Sequence, residues 1–265
     1  MTYQLLVSTM NQTDDSILDE MRIQSDAIII NQCDHVAKRT LSKNGKTIQF
    51  YSFDERGIGL SRNTAFMRAT ADIVEFADDD MILSPTYEQD VLREFEAHPE
   101  ADVILFSIES LNPERPLLKI DEFARVGIRE ALKYGCARLA VRREKLLYHN
   151  LSLSLLFGGG AKYGSGEDTV FLQELLHAGL HIYKSPIKVA DVKQTQSSWF
   201  DGFTEKYYAD KGALFAAAMP GFCYIYAILT AMRNHRRPDS AKKVLPLYFQ
   251  GIRQFKEKQK GGRNN

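Results

Sequence analysis

Cysteine is scarce in this sequence, and its pattern argues against a fold held together by disulfides. The 265 residues include three cysteines, Cys33, Cys136 and Cys223. Their number is odd and no two form a Cys-x-x-Cys pair, so we expect free thiols and a reducing compartment. We also expect no signal peptide, because Met1–Thr9 has no basic segment before it and no small-residue cleavage site after it.

Several familiar nucleotide- and metal-binding motifs are absent. The sequence contains no Gly-x-x-x-x-Gly-Lys-Ser/Thr loop, and its glycine pair at Gly57 and Gly59 does not match the dinucleotide-binding spacing. The six histidines show no His-Glu-x-x-His or other ligand spacing. These absences argue against a P-loop enzyme, a Rossmann dehydrogenase and a histidine-based zinc enzyme.

Net charge is also absent, since 34 basic residues balance 34 acidic ones. The distribution is uneven: from Arg233 to the end there are ten Lys or Arg and two Asp or Glu, which gives +8 and leaves −8 for the rest. We predict no nucleic-acid partner. A length of 265 residues with 44% hydrophobic and 26% charged residues suits one large α/β domain with a small appendage.

The first half alternates short apolar runs with helical patterns. The predicted strands are Tyr3–Ser8, Asp26–Ile30, Thr47–Phe53, Asp72–Phe76 and Asp102–Phe106. The predicted helices are Arg62–Thr70 after a Ser61 cap, Pro85–His98, Glu144–His149 and Val170–Ala178. Asn44-Gly45 predicts a tight turn between two strands. This alternation predicts a mixed, mainly parallel sheet with helices on both faces, and ligands beyond the carboxyl ends of its strands.

An acidic triplet, Asp78-Asp79-Asp80, follows the predicted strand that ends at Phe76. Three adjacent carboxylates repel one another, and a divalent cation removes that cost. Hard cations such as Mg²⁺ and Mn²⁺ prefer carboxylate oxygens and bridge them to phosphates. The alternative is a solvated acidic turn.

Two glycine-containing segments precede predicted helices. Gly57-Ile58-Gly59 leads to Ser61-Arg62, where free backbone N–H groups and a guanidinium favour a phosphate; the alternative is a tight turn. Gly164-Ser165-Gly166 leads to Glu167-Asp168. That pair is either a helix-capping pair or a general base facing a crevice.

Together and in this order, these motifs resemble the inverting glycosyltransferases of family 2. The resemblance rests on Ser8-Thr9-Met10-Asn11, Gly59-Leu60-Ser61-Arg62-Asn63, Asp78-Asp79-Asp80 and Glu167-Asp168. It extends from about Tyr3 to Trp199, and the most similar members are small bacterial enzymes that build capsular or exopolysaccharide repeat units. Two segments depart from the family: Asn31-Gln32-Cys33-Asp34 replaces an acidic pair, and Lys193–Trp199 lacks a metal-binding histidine.

The resemblance implies a GT-A fold over residues 1–212, followed by a helical, basic region over residues 213–265. It implies transfer of a sugar from a nucleotide-diphosphate sugar, with UDP-sugars as first choice, to a hydroxyl of a glycan or lipid-linked acceptor in surface polysaccharide synthesis. Residue roles follow from the matched motifs. Asp168 is then the general base and Glu167 orients the acceptor. Asp80 ligates Mn²⁺ or Mg²⁺ with support from Asp79, while the remaining donor contacts are Thr9, Asn11, Asn31, Arg62 and Asp78.

Two other functions remain open from the sequence. One is a GT-A domain that binds a nucleotide sugar or scaffolds an assembly without turnover, although a binder would not need Asp168. The other is a nucleotidyltransferase, which usually carries a basic glycine-rich loop near its N-terminus. Ser8–Asp14 is neither glycine-rich nor basic.

The C-terminal region predicts contact with the inner face of the cytoplasmic membrane. Ala213–Met232 contains no charged residue, but Pro220-Gly221 interrupts it and favours two helices over one span. The basic cluster Arg233–Arg237 suits anionic headgroups. Beyond it, one helical face collects the apolar residues Val244, Leu245, Tyr248, Ile252 and Phe255. That face predicts an interfacial helix; the alternative is a helix packed on the catalytic domain.

Overall fold

A computed structural model describes residues 1–194, 202–233 and 240–262. Trp199 and residues 234–237 of the basic cluster lie outside these ranges. The strands in the described ranges are Tyr3–Met10 (β1), Ala27–Gln32 (β2), Ala37–Lys43 (β3), Lys46–Phe53 (β4), Ile73–Asp78 (β5), Met81–Leu83 (β6), Val103–Ser110 (β7), Ala124–Arg125 (β8), Leu139–Arg142 (β9) and Ile182–Val192 (β10). The helices there are Ile17–Glu20 (α1), Ile58–Phe66 (α2), Tyr87–Ala97 (α3), Ile128–Ala131 (α4), Arg143–Tyr148 (α5), Glu167–His177 (α6), Glu205–Ala218 (α7), Cys223–Arg233 (α8) and Ala241–Gly262 (α9).

These strands form one mixed sheet in the order β3-β4-β2-β1-β5-β9-β7-β10-β6, with β8 paired to β10. Strands β4, β2, β1 and β5 are mutually parallel, and β7 is parallel to β10. Strand β9 lies antiparallel between β5 and β7 and joins the two parallel groups. The predicted mixed, mainly parallel sheet is therefore confirmed, and all five predicted strands belong to it.

The sheet is covered on both faces, as its apolar strands require. Along β1, Leu5 and Val7 face one core layer, and Leu6 between them faces the other. The first layer includes side chains of α1 and α3, and the second includes those of α2 and α6. Strands buried on both faces explain the nearly continuous apolar runs in the sequence. The predicted turn is also confirmed: Asn44 and Gly45 both adopt positive φ angles between β3 and β4.

The start of α2 differs from the sequence prediction. The helix begins at Ile58, with Gly57 at its N-cap position, and Ser61 lies inside it. Gly57 has φ 136°, a conformation that side chains rarely adopt, so the chain turns there. The predicted Ser61 cap is wrong: its hydroxyl donates to Ser8 Oγ at 2.9 Å and ties the helix to β1.

The last three helices form a core of their own. The apolar stripe of α9 faces inward, since Val244, Tyr248 and Ile252 are fully buried against α7 and α8. The prediction that this stripe lies in a bilayer interface is therefore wrong, and the alternative of intramolecular packing holds. The stripe is buried because Gly251 and Gly212 let the backbones of α9 and α7 approach closely.

The predicted break at Pro220-Gly221 is confirmed, because α7 ends at Ala218 and α8 begins at Cys223. No helix in the described ranges is both long and apolar enough to cross a membrane. Helix α7 runs through residue 212, at which the sequence analysis divided the chain. We propose that the helical region begins after β10 and includes all of α7.

Candidate active site

The carboxyl ends of β2, β1 and β5 place the predicted polar residues side by side. Ser8 lies opposite Asp78, and Thr9 lies opposite Asn31, in the registers of the parallel pairs. Thr9 Oγ1 donates to Asp79 Oδ2 at 2.6 Å. The acidic triplet is thus held at the edge of the sheet where α/β folds bind their ligands.

Arg62 joins this edge to the start of α6. Its guanidinium donates to Asp78 Oδ1 at 2.8 Å and to Asp168 Oδ1 at 2.7 Å, and lies 3.4 Å from Glu167 Oε1. The Arg62 side chain is 3% exposed. Burial opposes its charge, but the carboxylates of Asp78 and Asp168 outweigh that effect and raise its pKa. Arg62 therefore joins the acidic triplet to an acidic pair that lies about 100 positions after Arg62 in the chain. Both terminal nitrogens of its guanidinium are already bound to carboxylates.

The other two acids of the triplet have no cationic partner within the described part of the chain. Burial, together with the neighbouring charges of Asp78 and Asp79, raises the pKa of Asp80 to about 6. Burial also raises the pKa of Asp79, against the hydrogen bond from Thr9. The Asp80 carbonyl accepts from Lys193 N at 3.0 Å, which fixes the turn against the end of β10. Negative charge is therefore concentrated here without an internal counter-ion.

This charge fits a divalent cation shared with a substrate. The carboxylate oxygens of the triplet do not all lie within 4.8 Å of one another, so they do not enclose a single cation site by themselves. Within the described ranges, the side chains that meet this distance are those of Cys33, Asp34 and His35. Mg²⁺ and Mn²⁺ commonly use one or two carboxylates and complete their shell with phosphates and water. The triplet can supply one or two such ligands. Sulfur and imidazole ligands suit softer metals.

Glu167 and Asp168 form the first turn of α6. Gly166 N donates to Glu167 Oε2 at 3.1 Å. Burial and the Asp168 charge raise the pKa of Glu167 to about 7, although the Arg62 charge acts to lower it. A carboxyl that titrates near neutral pH is suited to proton transfer. A side chain at Gly158 would lie 2.8 Å from Glu167 Oε2, so glycine there gives this carboxyl its room.

Asp168 lies beside a turn that no sequence motif marked as functional. Burial and the negative charge of Asp168 raise the pKa of the Cys136 thiol in this turn. A side chain at Gly135 would lie 3.0 Å from Asp168 Oδ2. The turn Gly135-Cys136 therefore packs close to the Asp168 carboxylate. Nothing in the local sequence marks it, because a single cysteine in a polar segment carries no motif.

The predicted nucleotide contacts differ in accessibility. Asn31 is fully buried. Its side-chain amide exchanges hydrogen bonds with the backbone of Gln12 and also donates to Ser52 Oγ. It holds the loop after β1, and a contact with a base would need these bonds to break. Asn11 is exposed with φ 55°, and its Oδ1 accepts from Arg56. Asn11 and Arg56 therefore offer polar groups at the loop surface.

The expected anion site at the start of α2 is largely occupied by protein oxygens. Gly57 N donates to Gln32 Oε1 at 2.6 Å, and Ile58 N donates to the Gly159 carbonyl at 3.0 Å. The prediction of free N–H groups at these two positions is wrong, because a buried glutamine and a glycine-rich loop satisfy them. A side chain at Gly59 would lie 2.5 Å from the Ser154 carbonyl, which explains a glycine there by close packing.

A protein-family model covers part of this site. The model of Glycosyl transferase family 2 matches residues 13–151. That range includes Asn31, Arg62 and the acidic triplet, and it ends before Glu167 and Asp168. No curated protein sequence matches the chain.

Solved structures with the same fold come from S. aureus TarS. Residues 1–349 of TarS superpose with a TM-score of 0.59 at 13% identity, covering 96% of this chain and 72% of that one. TarS 1–349 in complex with UDP-GlcNAc gives a TM-score of 0.61 at 14% identity, covering 96% and 71%. The complex with UDP gives 0.59 at 14% identity, covering 96% and 70%. At these identities the likeness shows the fold, and it confirms the GT-A architecture.

Proposed function

Because the chain belongs to glycosyl transferase family 2, we propose that it transfers a sugar from a nucleotide-diphosphate sugar to an acceptor hydroxyl with inversion. The observation that carries this proposal is the network around Arg62, which joins Asp78 to Glu167 and Asp168. A donor-binding acid and candidate bases thereby lie at one edge of the sheet. UDP is the first choice of nucleotide, since TarS structures of the same fold hold UDP-GlcNAc and UDP.

Asp168 is the proposed general base. Its carboxylate takes the proton of the acceptor hydroxyl while that oxygen bonds to the anomeric carbon. The bond from that carbon to the diphosphate breaks on the opposite face, so the configuration inverts, as in inverting sugar hydrolysis. Arg62 holds Asp168 in place, and Glu167 orients the acceptor.

Asp80 is the proposed metal ligand, with Asp79 beside it and Asp78 directed to the ribose or sugar. Bound Mn²⁺ or Mg²⁺ would supply Lewis-acid neutralisation of the leaving diphosphate. Thr9 and Asn31 shape the nucleotide side of the site, with Asn11 at its surface. Arg62 already pairs with three carboxylates, so we assign it chiefly to holding the site together.

The proposed acceptor is a glycan or lipid-linked hydroxyl in bacterial capsule or exopolysaccharide synthesis, reached from the cytoplasm. A peripheral position on the inner membrane face would bring the site to such an acceptor. The part-buried carboxylates at this edge of the sheet can accept hydrogen bonds from the hydroxyl groups of a sugar, which supports an acceptor of this class.

The test measures UDP release from a panel of UDP-sugars, with Mn²⁺, Mg²⁺ or EDTA and a mixture of glycan acceptors. Asp168→Asn should keep donor binding in calorimetry and lose about 10²–10⁴ in turnover. Asp90→Asn, in the first turn of α3, is the matched control and should keep full turnover. Near-normal turnover in Asp168→Asn with loss in Glu167→Gln would move the base to Glu167. Donor binding without release by the wild type across the panel would instead indicate a binding protein.

A further inference from the structure

Helix α8 has an unusual distribution of side-chain sizes. Its inward positions are the small residues Cys223, Ala227 and Ala231, which are buried against α7 and α9. Its large apolar side chains point outward; with the preceding residue they form the α8 face, defined as Phe222, Tyr224, Ile225, Ile228, Leu229 and Met232, each 39–70% exposed. A contiguous exposed apolar surface of this kind marks an interaction site.

Cations of α9 border this face. Lys256 lies over the Tyr224 ring at 5.1 Å. A groove of about 530 Å³ between α8 and α9 has an apolar floor that includes Leu245 and Phe249, and it carries Lys242 and Arg253. In residues 220–233 and 240–262 there are seven Lys or Arg and one acid, Glu257. The surface is therefore apolar along α8 and positive at the rim that α9 forms.

Charge complementarity selects the occupant. A second copy of this chain would bring two strongly positive rims together, which like-charge repulsion opposes. A bilayer with anionic headgroups meets both features, because acyl chains receive the apolar side chains and headgroups receive the cations. An interfacial helix with outward Phe, Ile, Leu and Met and neighbouring Lys and Arg has this composition.

We propose that the α8 face is a docking surface for an anionic lipid bilayer, with α8 lying in the plane of the interface. Helix α9 contributes its cations, while Val244, Tyr248 and Ile252 of its apolar stripe stay buried against α7 and α8. The surface contains none of the proposed active-site residues, so docking does not depend on the transfer reaction. It would place the catalytic domain beside lipid-linked molecules.

Vesicle flotation of the full chain at low salt tests the proposal. The vesicles are phosphatidylcholine with about 30% phosphatidylglycerol, compared with phosphatidylcholine alone. Wild type should float with the anionic vesicles at low salt. It should be released by 0.5 M salt, because the Debye length then falls to roughly one third of its low-salt value and the charges are screened. Ile225→Gln/Leu229→Gln and Lys242→Gln/Arg253→Gln should each lower binding about tenfold.

Met67→Gln/Leu147→Gln is the matched control, because these apolar residues are at least as exposed as Leu229 but lie at the end of α2 and on α5. It should bind vesicles like the wild type. Circular dichroism melting confirms that every variant folds. Absence of wild-type binding to anionic vesicles would overturn the proposal, as would normal binding by the α8 variant. A wild-type dimer in light scattering that Ile225→Gln/Leu229→Gln dissociates would also overturn it, in favour of an interface between copies.

Discussion

Replacing Arg62 by methionine would remove the guanidinium that joins the acidic triplet to α6. Methionine keeps an unbranched side chain of similar reach but no charge. Asp78, Glu167 and Asp168 would then lose the cation that each now faces within 3.4 Å. We expect Arg62→Met to destabilise the fold as well as to disable the site.

The size of the loss follows from burial. Removing one partner of a buried ion pair costs about 3–5 kcal/mol, because the remaining charge is buried without compensation. Arg62 is 3% exposed and Glu167 13%, whereas Asp78 and Asp168 are 36% and 29% exposed. Water can reach those two carboxylates in part, so we expect the lower end, about 3 kcal/mol at pH 8.5. That is a large share of a typical unfolding free energy of about 5–15 kcal/mol.

The loss should depend on pH with a definite sign. The pKa of Glu167 is raised by burial to about 7, above its ordinary value of 4.5. The native state therefore holds more protons than the unfolded state between these values, and stability falls as pH rises through that window. Arg62 lowers the pKa of Glu167, so its removal extends the window above pH 7. The penalty of Arg62→Met should be smaller at pH 5.5 than at pH 8.5.

Urea unfolding at both pH values measures these penalties. Glu167→Gln in the Arg62→Met background should recover part of the loss at pH 8.5, since it removes one stranded charge. Arg93→Met is the control, because that arginine is 68% exposed and pairs only within α3; its cost should stay within about 0.5 kcal/mol. A penalty for Arg62→Met below about 1 kcal/mol at pH 8.5, or one equal at both pH values, would refute the reasoning.

Three further outcomes are expected. Asp80→Ala should abolish the Mn²⁺-dependent part of UDP binding in calorimetric titration, and unchanged metal dependence would remove Asp80 as a ligand. Glu75 is fully buried, and burial raises its pKa to about 7 against the hydrogen bond from Tyr3. Its contribution to stability therefore falls as pH rises from about 4.5 to 7. In urea unfolding, the stability of Glu75→Gln relative to wild type should rise by up to ~3 kcal/mol between pH 5 and pH 8. A difference that stays constant with pH would contradict this. Gly251→Ala should cost about 1–3 kcal/mol in the same assay, because the new methyl would overlap the Ala209 carbonyl between α9 and α7. Gly127→Ala, with no atom within 4 Å of the added methyl, should change stability by less than about 0.5 kcal/mol, and equal effects at the two glycines would argue against close packing.

Local pattern was sufficient for five of the ten strands that the described part of the chain forms. Strands such as Tyr3–Met10 and Ile73–Asp78 are buried on both faces, so their apolar runs stand out from the flanking polar residues. The turn at Asn44-Gly45 was also predictable, since few residue pairs accept two positive φ angles. Helix α2 was misplaced by four residues because its start depends on Gln32, a residue of another strand that binds Gly57 N.

The sequence by itself determined the fold class, the family resemblance and the positions of the acids that follow β5 and begin α6. These features depend on short-range order: an apolar strand, a glycine, a run of carboxylates. Only the tertiary structure decided which cation those acids share, because Arg62 meets Asp78 and Asp168 through the packing of three separate elements. It also decided which apolar face stays exposed. The apolar stripes of α8 and α9 look alike in sequence. The glycines between α7 and α9 allow close packing that buries the α9 stripe, whereas the large side chains of α8 remain exposed.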